Sequence, residues 1–121
     1  VDERRKLQRQ QLIYYLRVLD PESGTLLGHL VNITTEGIML ISEHSIETAK
    51  RFRLRMMLPR SIDDVSEIEL KAQSVWCDRD INPAFFDTGF RLVDVGDKEK
   101  KIIENLIQNF LFQEWLDPPD S

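Results

Sequence analysis

Asn32-Ile33-Thr34-Thr35-Glu36-Gly37 lies between two apolar runs, Leu26-Leu27-Gly28-His29-Leu30-Val31 before it and Ile38-Met39-Leu40-Ile41 after it. A polar, glycine-closed corner between two such runs predicts two strands joined by a tight turn. The Asn, the hydroxyl two residues on and the Gly three further can turn their side chains toward a common surface. Gly37 is expected to supply a positive φ or a close backbone approach.

Outward from this corner the chain keeps a strand rhythm. Gln11 to Asp20 alternates, with Leu12, Tyr14, Leu16 and Val18 on one face, and Asp20-Pro21-Glu22-Ser23-Gly24 is a strong turn signal. Residues 43–49 are polar and irregular. Lys50 to Leu58 sends Phe52, Leu54, Met56 and Leu58 inward and Arg51, Arg53 and Arg55 outward. That arginine row is either a phosphate-binding face or, as polar-out alternation normally is, a solvated strand face. Pro59 is expected to end this strand, because it cannot donate to a ladder, and 60–66 to form a polar loop.

Glu67 to Cys77 predicts a fifth strand with Ile68, Leu70, Ala72, Ser74 and Trp76 on one side. Phe86 to Val93 predicts a sixth, with Thr88, Phe90 and Leu92 in phase and Gly89 where a backbone must come close. Gly96-Asp97 offers an N-cap, and from there to Leu116 the period becomes helical along Ile103, Leu106, Ile107 and Phe110. Asp117-Pro118-Pro119 stops it. Short strands followed by one terminal helix predict a mainly β fold, a small antiparallel barrel with the helix packed on one end.

With 121 residues, 41% of them apolar, the chain is expected to form one domain with a proper core. It opens on Val1, as a trimmed piece of a longer chain would. It contains no run of the roughly 20 apolar residues that a spanning helix needs, and no signal segment that would argue for export. The expected location is cytoplasmic. Cys77 is the single cysteine, so there is no disulfide framework, and its expected role is that of a small buried residue.

A formal charge of −5 argues against binding a nucleic acid polymer. Residues 1–10 nevertheless carry Arg4, Arg5, Lys6 and Arg9 against Asp2 and Glu3, which points to a small anionic partner there. This head lacks clear periodicity and is expected to be a flexible segment until something orders it. Guanidinium forks at Arg5 and Arg9 could grip a planar anion from two sides, by bidentate pairing and by stacking.

Signals for catalysis are poor, and the chain is not expected to be an enzyme. His29 and His44 have no ligand-type neighbour at metal spacing. Asp78-x-Asp80-x-Asn82 starts like a calcium loop, but Pro83 and Gly89 occupy the places that need Gly and a bidentate Glu. No phosphate cradle or nucleophile elbow is present. In the helix, Ile102, Leu111, Phe112, Trp115 and Leu116 widen the apolar face beyond one stripe. Two uses are open to that surface: burial against the barrel, or docking and homo-oligomer formation through residues such as Phe112 and Trp115.

Arg5-x-x-x-Arg9 preceded by Arg4, then a strand pair, then Asn32-x-Thr34-x-x-Gly37, resembles the PilZ domain family. The resemblance extends over Asp87-Thr88-Gly89-Phe90-Arg91-Leu92 to the closing helix. It implies a six-stranded antiparallel β-barrel over 11–121 with a C-terminal helix at about 97–116, following the basic ligand-binding segment 1–10. It also implies a receptor for the bacterial second messenger cyclic di-GMP, with no cofactor.

On that resemblance Arg5 and Arg9 would hold guanine and phosphate, often around a stacked dimer of the messenger, with Arg4 as an auxiliary contact. Asn32 and Thr34 would hydrogen-bond the ligand, and Gly37 would let it approach the backbone. The commonest form of the corner has Asp and Ser where this chain has Asn32 and Thr34, which lowers the expected affinity. The implied output is a reordered N-terminal segment acting on an effector protein or attached domain, in control of motility, adhesion or biofilm. The alternative is a PilZ-like protein–protein interaction module that senses no ligand.

Overall fold

The computed structural model describes residues 16–62 and 64–108. The basic head with Arg4, Arg5 and Arg9, the first half of the opening strand, and Phe110, Leu111, Phe112, Trp115 and Leu116 lie outside the described residues. Six strands, β1 (Leu16–Leu19), β2 (Leu26–Ile33), β3 (Gly37–Ser42), β4 (Arg51–Ile62), β5 (Val65–Arg79) and β6 (Phe86–Val93), precede the helix α1 (Asp97–Leu106). They close into an antiparallel barrel in the order β1-β2-β3-β6-β5-β4, as expected. The seam is short: Val18 pairs with Met56 and Leu19 with Arg55.

Alternation explains what fills the barrel. Val18, Leu40, Leu54, Met56 and Ala72 are wholly buried and join one cluster with Leu30, Ile33, Ile38, Ile68, Leu70, Phe90 and Leu92. Phe52 is half-buried and meets Phe90 edge-on at 5.7 Å. Ile102, Ile103 and Leu106 place α1 on the same cluster. Ile102 therefore belongs to the core and not to a surplus apolar face. The N-cap is Gly96 in extended conformation, without a side-chain cap, and Asp97 opens the helix as its first acidic residue. Asp97 favours that end through the helix dipole instead of capping it. No helix among the described residues is long and apolar enough to cross a membrane.

The structure departs from expectation at Pro59. β4 runs through it to Ile62, which pairs with Val65, so residues 60–62 and 65–66 belong to the end of a long hairpin and not to a loop. The ladder loses register between Met57 and Ile62, and proline is tolerated at such an irregularity because no regular ladder bond is required of it. Cys77 also differs. Its sulfur accepts hydrogen bonds from the Thr88 hydroxyl at 3.3 Å and the Ile46 N–H at 3.5 Å, satisfying a fully buried hydroxyl and tethering the 43–50 segment. Ser74 holds the same segment, donating to the Glu47 carbonyl at 2.6 Å and accepting from the Lys50 N–H at 3.1 Å.

Two arginines of the β4 row, Arg53 and Arg55, are held in ion pairs. Arg53 meets Glu69 at 2.7 Å and Glu22 at 3.8 Å, and Arg55 meets Glu67 at 3.3 Å. Their partners are carboxylates of this chain, which agrees with a solvated strand face.

Candidate ligand-binding groove

Strict alternation would send Asn32 into the core with Leu30. It faces outward because β2 carries one extra residue. Leu30 pairs with Leu40 and Asn32 with Met39, so Val31 is a bulge that shifts the phase. Leu30 and Ile33 stay buried while Asn32 is exposed.

β5 repeats the device. Ser74 pairs with Phe90 and Trp76 with Gly89, which leaves Val75 as the extra residue. Ser74 remains in the core at 1% exposure, but Trp76, expected on the same side, is turned out to 40% exposure. Cys77 takes the inward phase instead. Met39 pairs with Gly89 across β3 and β6, so Asn32, Met39, Gly89 and Trp76 form one transverse row over four strands. Each end of that row is placed by a bulge.

The row floors a shallow, open groove of about 460 Å³, bordered also by Thr34, Glu36, Gly37, Val75 and Arg91. The Trp76 indole lies directly over Gly89: a Cβ there would overlap its Nε1 and come within 2.5 Å of Cε2. This is the close approach expected at Gly89, made by an aromatic ring. Arg91, paired with Gly37 across the strands, donates to the Gln73 side-chain oxygen at 2.9 Å. Trp76, Met39 and Arg91 line the groove although no motif marks them; alternation does send Met39 and Arg91 outward, and it misses Trp76. The phase error at Val75 hides Trp76.

The corner is built by Thr34. Its hydroxyl accepts the N–H groups of Glu36 at 3.1 Å and Gly37 at 3.0 Å, and donates weakly to the Gly37 carbonyl at 3.3 Å. The Thr34 N–H donates to that same carbonyl at 2.8 Å. This is a side-chain turn that fixes the backbone. The only glycine with positive φ is Gly24 (φ 76°), in the turn after β1, so Gly37 serves close approach. A Cβ at Gly37 would lie 2.8 Å from the Phe90 carbonyl oxygen. Asn32, Thr34 and Gly37 thus share one groove. Arg4, Arg5 and Arg9 lie outside the described residues, as do Phe112 and Trp115.

An acidic cluster stands beside the groove. Asp87 faces Asp78 directly across the β5–β6 ladder. Partial burial, then a hydrogen bond and charge repulsion from Asp80, and lastly the charge of Asp78, push the Asp87 carboxyl up to about 6. The 80–84 loop closes on itself, with the Asn82 N–H bound to Asp80 and the Ala84 N–H to Asn82. No cluster among the described residues could hold a metal ion.

A carboxyl raised in the folded state favours folding below its unfolded pKa, and that contribution is lost as pH rises through the folded value. Asp87→Asn is therefore expected to raise the urea midpoint at about pH 8 and to lose that advantage near pH 4, below which the unfolded carboxyl is also protonated. Equal gains at both pH values would show that repulsion at Asp87 does not act on stability.

Comparison with known proteins agrees with this fold. The PilZ domain matches residues 3–113. No curated protein is significantly similar in sequence. Among solved structures, the Bacillus subtilis inhibitor of motility MotI/DgrA superposes with a TM-score of 0.65 at 14% identity, covering 90% of this chain. The chain spans 50% of the length of that structure, and the likeness at this identity is one of fold. With the domain match running through the whole barrel and past α1, the chain belongs to the PilZ domain family, a family of regulatory binding modules.

Proposed function

We propose that this domain is a receptor for cyclic di-GMP, and not an enzyme. One observation carries the reading: two bulges bring Asn32 and Trp76 onto a single outward row, beside a corner made rigid by Thr34. The resulting surface is flat, partly aromatic and open, which suits a planar base better than a compact anion. Trp76 offers an indole face for stacking a guanine, a contact worth about 1–3 kcal/mol per base. Asn32 offers both a donor and an acceptor to the base or the ribose.

The phosphates fall to Arg5 and Arg9, with Arg4 as auxiliary, because a guanidinium pairs with phosphate oxygens bidentately. Ligand would then tie residues 1–10 to the groove and transmit binding to an effector protein or attached domain. Fixing a segment of that kind takes about 2–5 kcal/mol, which two charge-assisted arginine contacts can exceed. The inhibitor of motility that shares this fold supports motility as one regulated output; adhesion and biofilm control, and action in the cytoplasm, are further parts of the proposal.

Calorimetric titration with cyclic di-GMP, beside a GTP control, tests the proposal. Micromolar or tighter binding is expected, abolished in Arg9→Ala and weakened at least about tenfold in Trp76→Ala. No heat and no thermal stabilisation in the wild type would replace the receptor with an interaction module that senses no ligand.

A further inference from the structure

The groove carries a negative charge that a doubly anionic ligand does not by itself call for. Glu36 borders the groove, and its backbone is clamped on both sides. Its N–H donates to the Thr34 hydroxyl at 3.1 Å, and its carbonyl accepts the Leu92 N–H at 2.9 Å. The side chain therefore starts from a fixed point at the lip of the groove. It is exposed, and among the described residues no ion pair or hydrogen bond engages its carboxylate.

The neighbouring polar groups differ from it in what they can read. The Thr34 hydroxyl already accepts two backbone N–H groups, so its lone pairs are spent inside the turn. The Asn32 amide presents a donor and an acceptor, and either end can meet a base. Arg91 only donates, and Gln73 already engages it. A glutamate carboxylate is acceptor-only, with two oxygens side by side. The Watson–Crick edge of guanine offers two adjacent donors, N1–H and the exocyclic amine, which match those oxygens. Adenine places one donor next to a bare ring nitrogen, whose lone pair opposes a carboxylate.

We infer that Glu36 is the residue that selects guanine in this groove, by accepting both donors of its Watson–Crick edge. The assignment rests on the cyclic di-GMP reading above and adds the source of its base specificity. A site built around such a contact rejects an analogue that lacks the matching donors, because the charged acceptor is then desolvated without a partner.

The test is titration of wild type and Glu36→Gln with cyclic di-GMP and with cyclic di-AMP, after matching their urea midpoints. Glu36→Gln is expected to weaken cyclic di-GMP binding about tenfold or more and to leave cyclic di-AMP unchanged or improved, so that the affinity ratio collapses. Equal or tighter binding of cyclic di-GMP by Glu36→Gln, with wild type binding normally, would overturn the Glu36 assignment alone and mark the carboxylate as merely repulsive. Failure of wild type to bind either dinucleotide would overturn both the receptor reading and this one.

Discussion

Leu40→Ala is expected to lower the stability of the domain by about 2–5 kcal/mol. Leu40 is wholly buried at the middle of β3, paired with Leu30 on one side and Thr88 on the other. Truncation removes its transfer free energy and leaves a cavity. The neighbouring strands cannot close over it, because hydrogen-bonded ladders hold β2, β3 and β6 at fixed spacing. The adjacent residue Met39 points the other way, into the groove. Urea unfolding should therefore show a large fall in midpoint with little change in slope, while binding measured well below the transition stays close to wild type. A loss under about 1 kcal/mol would mean that the barrel relaxes around the cavity, contrary to the packing described here.

Gly37→Ala is the second large effect, and it acts by crowding. The added methyl would sit 2.8 Å from the Phe90 carbonyl oxygen, a backbone atom of the paired strand. A flexible side chain could swing aside, but a ladder carbonyl moves only if β3 and β6 part. Overpacking of this kind costs about 1–3 kcal/mol. The damage also reaches function, because the Gly37 carbonyl and N–H both bond to Thr34 and hold the corner. We expect a lower midpoint together with weakened cyclic di-GMP binding, a combination that separates this variant from Leu40→Ala. Unchanged stability would show that the two strands can spread at no penalty.

Much of the barrel was legible because its strands obey simple alternation. Thr88, Phe90 and Leu92 were read in phase, and all are buried. The corner at Asn32–Gly37 was recognisable by residue type, since a hydroxyl and a glycine at that spacing organise a turn. What the hydroxyl does there was not legible. Thr34 was expected to hydrogen-bond a ligand, and the structure adds that its oxygen holds the backbone of the corner.

Trp76 was misplaced for a geometric reason. Alternation counts residues, and a bulge adds one to the count without leaving a distinctive residue type at Val75. Pro59 failed the other way: the rule that proline ends a strand assumes a regular ladder, and the β4–β5 ladder is irregular there. The separation of Asn32 from Trp76 by more than forty positions hid their common row. Only strand pairing brings them together.

The paired bulges also make the recognition surface a matter of parity. Each end of the groove faces outward because its strand carries one extra residue ahead of it, so the lining depends on how many residues precede it as much as on which ones they are. Exchanging Val31 or Val75 for another side chain of similar size preserves that count. Deleting either one leaves Leu30 beside Asn32, or Ser74 beside Trp76, in a regular ladder where neighbours take opposite faces, so Asn32 and Trp76 both stay outward; forcing the extra residue into the regular ladder instead turns the strand inside out from that point. The groove thus depends on the extra residue being set aside as a bulge, and a change of register removes it with every lining residue still in the sequence.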